Sequence, residues 1–335
     1  MKKNIKKIII LVVTVLVLTT GCTKYVTDDD NKRITNETTG QSLTSNLLCK
    51  PTGELLAVYE KYEKYMEVKL EDLPNCKELK VFNTKNYDGL WESIFVSPIA
   101  WAIVNLGKLV KNYGLSVMLI GVFIRLILMP LSYKTQKQSE NLKKAQPEIE
   151  RIEKKYADKT DSESMMQKSQ ETMMIYQKYK INPVGSCLVS FIQLPLFFAF
   201  LEAINRVPAI FEGSLWTLQL GTTPMIGIKS GNYAYIILIL LIILTTYFSF
   251  KLSMNNGVNS EQQKQMSFMT TFMLIFISIA SFSLPTAIAL YWVATNGLNV
   301  IQTIIFKKLG NKTKNEKKIK KEKVKTVKTK SKGSK

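Results

Sequence analysis

The sequence predicts an all-α polytopic membrane protein, and three observations predict it. Apolar residues gather in long blocks, each near the roughly 20 residues that cross a bilayer at about 1.5 Å rise apiece. Charges gather between those blocks and at the C-terminus. The formal net charge of +20 is split: residues 23–95 hold ten basic and thirteen acidic side chains, while 307–335 hold fourteen lysines against Glu316 and Glu322.

The N-terminus, MKKNIKKIIILVVTVLVLTTGC, has a lysine-rich start, an apolar core and small residues at its end, the plan of a secretory signal peptide over 1–21. Its close, LTTGC, resembles the lipobox of bacterial lipoproteins, which implies acylation of Cys22; the alternative is an uncleaved signal anchor. Either way residues 22–95 are expected outside the cytoplasm, lipid-anchored on the first reading. TDDDNKRITNETTGQSLTSN is polar and predicts disorder. Cys49 and Cys76 are placed to form a disulfide in an oxidising exterior, or to remain free thiols.

Before the first span, SPIAWAIVNLGKLVKNYG is amphipathic, with Ile99, Ile103, Leu106 and Val110 on one side, and is expected to lie along the outer interface. Trp91 and Trp101 suit the headgroup region. Five spans follow: Gly114–Leu131, Val184–Asn205, Tyr233–Phe250, Ser267–Leu284 and Pro285–Phe306. The last two run together and divide at Ser283-Leu284-Pro285, where proline makes a natural turn. An exported N-terminus and five spans leave the C-terminus cytoplasmic. Charge agrees, since 133–181 carries eleven Lys or Arg and the opposite loop Val207–Asn232 carries only Lys229.

Residues 133–181 read as a charged cytoplasmic helical hairpin broken at ADKTDSES, with Ile149, Ile152 and Tyr156 at helical spacing in its first arm. Met165, Met166, Met173 and Met174 form a stripe on the second arm. Packing between the arms and transient contact with an apolar client are both open readings of it.

Arg125, in GVFIRLILMPLS, stands inside the first span with no carboxylate at its depth. A central arginine costs roughly 2.5–3.5 kcal/mol on insertion scales. Snorkelling is one answer. The other is a water-filled cavity lined by polar stripes: Ser186, Ser190 and Gln193 on the second span, and Trp292, Thr295, Asn299 and Gln302 on the fifth, with Asn296 alongside. Cys187 reads as a packing residue.

Three stretches together resemble the YidC/Oxa/Alb family of membrane protein insertases in its Gram-positive lipoprotein form: RLILMPLSYKTQKQS, NPVGSCLVSFIQLPLFFAF and LPTAIALYWVATNGLNVIQ. The resemblance spans about residues 97–306. It implies a five-helix insertase core over 96–306, with the cytoplasmic hairpin at 133–181 and a hydrophilic groove open to the cytoplasm. The groove set it implies is Arg125, Gln193, Trp292, Ser190 and Asn296. One departure is Gly121, where some members carry a hydroxyl one turn before the arginine. The function implied is insertion of nascent membrane proteins, alone or with the Sec translocon, with membrane lipids as surroundings and no enzyme activity or cofactor.

The polybasic tail 307–335 suits ribosome binding through RNA phosphates, or anionic lipid, or plain solvation. The rival from another class is a secondary transporter or channel for an anionic solute; paired repeats and midplane helix breaks, its usual signs, are not visible in the sequence. The absence of histidine excludes His-based triads and H-E-x-x-H zinc sites, and no phosphate-binding G-x-x-x-x-G-K-[ST] loop is present.

Overall fold

The computed structural model describes residues 23–81, 89–182, 195–253 and 261–332. Its helices, in chain order, are α1 (Gly53–Lys61), α2 (Ser97–Val110), α3 (Tyr113–Ile127), α4 (Met129–Lys155) and α5 (Ser162–Lys178). Beyond them lie α6 (Pro195–Asn205), α7 (Pro208–Phe211), α8 (Pro224–Lys229), α9 (Ala234–Ser253), α10 (Glu261–Ala280) and α11 (Thr286–Lys332). A short antiparallel hairpin, β1 (Ser214–Leu215) with β2 (Leu218–Gln219), interrupts the loop between α7 and α8.

Residues 23–81 form an ordered cap that includes 27–46, contrary to the disorder which the polarity of that stretch predicts. Isolated bridges Tyr25 to Thr44, Thr27 to Arg33 and Thr35 to Ser42 fold the chain back on itself. The few apolar residues within that polar run decide the outcome: Val26, Ile34 and Leu43 are buried with Leu55, Tyr59 and Leu70. Cys49 and Cys76 are joined in a disulfide. Closing a loop of 27 residues stabilises the cap by about 3.5 kcal/mol in the chain-entropy account. Cys49→Ser is therefore expected to make the cap cleavable by protease at temperatures where the parent resists, with the spans left intact. Equal protease resistance in both would reject that contribution.

The cap is fastened to the helical body at several points. Thr223 N–H donates to Thr39 O at 2.8 Å and Leu48 N–H to Arg206 O at 2.9 Å. Thr52 Oγ1 donates to Glu212 at 2.6 Å. At Gly40 (φ +72°), a Cβ would stand 2.6 Å from Thr223 Oγ1, so the approach needs both the missing side chain and the left-handed backbone.

Among the described helices, Ala234–Leu252 and Thr286–Leu309 are long and apolar enough to cross a membrane. So, together, are α3 and α4, bent by 59° where they meet; Pro130, in the first turn of α4, lacks the N–H that would continue the ladder. The segment Glu92–Val110, expected along the outer interface, also meets the length and hydropathy of a span. Its start is tied to the cap through Glu92 and Arg206, which also donates to Asn46 O. Its end is tied there too, Lys108 Nζ donating to Lys77 O. Both ends of α2 are thus joined to the same polar unit. Trp91, expected among headgroups, is instead buried; Trp101 is exposed.

At the opposite end α4 and α5 make the hairpin. Asp161 caps α5 by accepting from Ser164 N–H at 2.8 Å. Ala145, Ile149, Ile152, Tyr156 and Ile175 are its core. Lys178 and Tyr179 both donate to Glu148 at 2.7 Å, which holds that carboxyl below its ordinary range. Met165, Met166, Met173 and Met174 are all exposed. They stand outside that core and so do not pack between the arms. The turn before Pro285 falls as predicted, and α11 continues as one helix through the lysine tail to Lys332.

Candidate functional site

The site is built where α3 meets α11. Tight approach of two helices needs a small residue, and Gly121 supplies it: a Cβ there would stand 2.7 Å from the Tyr291 ring and 3.1 Å from Thr295 Cγ2. This explains why the hydroxyl-bearing alternative is absent at position 121. The ring of Tyr291 fills the space that a side chain would take. Arg125 follows one helical turn later on the same face, half-buried, with the Tyr291 phenol as an electrostatic neighbour. Tyr291 in turn stacks on Phe200 of α6, ring centroids 4.0 Å apart. Three helices thus converge beside one guanidinium.

The polar stripe predicted along α11 divides into two faces. One is joined to α9: Trp292 Nε1 donates to Thr246 Oγ1 at 2.9 Å and Asn299 Nδ2 to Ser249 Oγ at 2.5 Å. Asn296 lies on that side and donates to Trp292 O at 3.0 Å. The other face carries Tyr291, Thr295 and Gln302 at intervals of four and seven. Thr295 Oγ1 donates back to Tyr291 O at 2.8 Å. Gln302 is buried, and among the described residues its amide has no hydrogen-bond partner. The Trp292 ring also meets Phe197 edge-on at 5.2 Å. Ser186, Cys187, Ser190 and Gln193 lie outside the described residues, as does Cys22. Of the predicted set, then, Arg125 faces the α3–α11 contact, whereas Trp292 and Asn296 sit around the corner of α11 toward α9.

A second charged constellation escapes sequence reasoning. Arg206 is 3% exposed, and its Nη1 donates to Glu92 Oε2 at 2.5 Å and to Glu202 Oε1 at 3.0 Å. Glu202 also accepts from Trp91 Nε1 at 2.9 Å. The available signal is the i, i+4 spacing of Glu202 and Arg206. Nothing in the sequence brings Glu92 to them.

Among the described residues no group of His, Cys, Asp and Glu is arranged to hold a metal ion. Residues 105–315 match the family model of the 60Kd inner membrane protein. The membrane protein insertase YidC of Oceanobacillus iheyensis is 39% identical over 244 residues, which cover 70% of this chain and 91% of that one. The membrane protein insertase MisCA of Bacillus subtilis is 33% identical over 236 residues, 70% of this chain and 86% of its own. Among solved structures, a crystal structure of an active YidC insertase with its first transmembrane domain resolved is similar at a TM-score of 0.46 and 23% identity. The match covers 75% of this chain and 50% of that one.

Proposed function

The chain belongs to the 60Kd inner membrane protein family, that of the YidC insertases, and from that premise we propose that it inserts nascent membrane proteins into the lipid bilayer. The observation that carries the mechanism is Arg125 on the face of α3 that meets α11, beside Tyr291. A guanidinium held within an apolar helix attracts the polar, acidic leading segment of a client. A hydrophilic groove open to the cytoplasm around it shortens the hydrocarbon distance that segment crosses unaided, and burial of the client's own apolar span in lipid drives release. No bond is made or broken, so the proposed activity is that of an insertase and not of an enzyme.

We place the hairpin 133–181 and the tail 307–335 in the cytoplasm and residues 22–95 outside. The support is physical. Lysines concentrate at the hairpin end, as the positive-inside rule requires, and the disulfide lies in the cap, at the other end, where an oxidising exterior preserves it. On this reading 1–21 is a signal peptide, Cys22 the lipidated residue and 96–306 the insertase core. The lysine tail meets the ribosome, and the Sec translocon is a further partner. Full-length protein in liposomes is the test. A single-span client with an acidic N-terminal segment should become protease-protected only in protein-containing vesicles. Equal protection in empty vesicles would reject the function.

A further inference from the structure

A cavity of about 640 Å³ opens on the cap side, between the end of α2, the start of α3 and the β1–β2 hairpin. Lys77, Lys108 and Lys111 line it and no carboxylate does. Glu212 lines the adjoining hollow and is engaged by Thr52, whose N–H and Oγ1 donate to it at 2.5 and 2.6 Å. Among the described residues no ion pair involves Lys77 or Lys111. Lys108 Nζ is engaged by Lys77 O and Asn105 Oδ1, so Lys77 and Lys111 are the two ammonium groups that attract an anion to the hollow.

Lys111 adds a second indication. It ends α2 with φ +55°, a left-handed position where glycine is the less costly residue. A lysine kept there at a backbone cost points to a use for its side chain.

The surroundings identify the anion's source. Leu109, beside Lys108, is 78% exposed, and Trp216, at the tip of the β1–β2 hairpin, is 88% exposed. Trp101 of α2 and Ile94 just before it are exposed as well. A dissolved phosphate gains nothing from exposed tryptophan and leucine; a phospholipid does, since aromatic and lysine side chains together mark the level of headgroups. We propose that this cavity binds the phosphate of an anionic phospholipid, whose acyl chains lie against Leu109 and Trp216. The lysines take the phosphate and the apolar surface the chain, so the headgroup site holds α2 flat on the bilayer.

The test uses the full-length protein in detergent, with native mass spectrometry counting bound phosphatidylglycerol or phosphatidylcholine. A lysine near a bilayer surface is worth roughly a factor of five in binding. The double variant Lys77→Gln, Lys111→Gly should therefore lose about 25-fold in phosphatidylglycerol binding and nothing in phosphatidylcholine binding. Lys111→Gly alone should lose about five-fold while melting no lower than the parent, an outcome that a purely structural lysine would not give. Inorganic phosphate serves as competitor and should displace the lipid weakly. Three results would overturn the proposal: no preference for phosphatidylglycerol in the parent, unchanged binding in the double variant, or displacement by inorganic phosphate as effective as by the lipid itself.

Discussion

Arg206→Ala should destabilise the protein by roughly 3–5 kcal/mol, the cost of removing one partner from a buried ionic cluster. Glu92 and Glu202, 6% and 4% exposed, would lose the guanidinium nitrogen from which both accept. The loss reaches beyond the pair. Arg206 Nε donates to Asn46 O at 2.6 Å, and Arg206 O accepts from Leu48 N–H, so the same residue joins cap, α6 and the start of α2. Its removal should free the cap, seen as protease cleavage within 23–81 well below the melting temperature of the helices. The comparison is Glu92→Gln, Glu202→Gln, Arg206→Met, which removes all three charges at similar volume. Replacing a whole buried cluster is often neutral, so the triple variant should recover much of what the single one loses. A single variant that melts with the parent would show that the cluster does not bind the cap to the body.

Arg125→Ala should abolish most insertion of single-span clients with acidic leading segments, by about 10- to 100-fold, the worth of a charge-assisted hydrogen bond at roughly 1.5–3 kcal/mol. Folding should survive, because a guanidinium in an apolar helix carries a desolvation cost that alanine lacks. Arg125→Lys keeps the charge but loses the bidentate fork, and should fall between. The measurement is protease protection in liposomes, with unfolding followed in parallel. Parent-level insertion by the alanine variant would remove Arg125 from the mechanism. Loss with alanine, partial recovery with lysine and an unchanged melting point together would assign it.

Much of this architecture was legible before any coordinates. Helical spacing of Ile149, Ile152 and Tyr156 announced the hairpin core, ADKTDSES announced its turn, and Pro285 announced the turn before α11, because those signals act within a few residues of themselves. The polar stripe on α11 was legible as a stripe but not as two faces, since Trp292 and Asn299 hydrogen-bond to α9 while Thr295 and Tyr291 face Gly121. Periodicity gives the angle of a side chain about its own helix and not the identity of the neighbour on that side. The cap was misread for a related reason. Val26, Ile34 and Leu43 are too few in a polar run to register as a core, and they become one only with Tyr59 and Leu70.

The sequence by itself determined that this is a helical membrane protein, which blocks are apolar, where the turns between the last helices fall and that one arginine stands within a span. Those properties follow from hydropathy, charge and backbone chemistry read along the chain, all of them local quantities. Only the tertiary structure decided that both ends of α2 are tied to the cap, that Gly121 is required by the ring of Tyr291, and that Glu92 meets Arg206. Each of these depends on which distant residues share a place in space, and a buried charge or a missing side chain acquires its meaning from that neighbour.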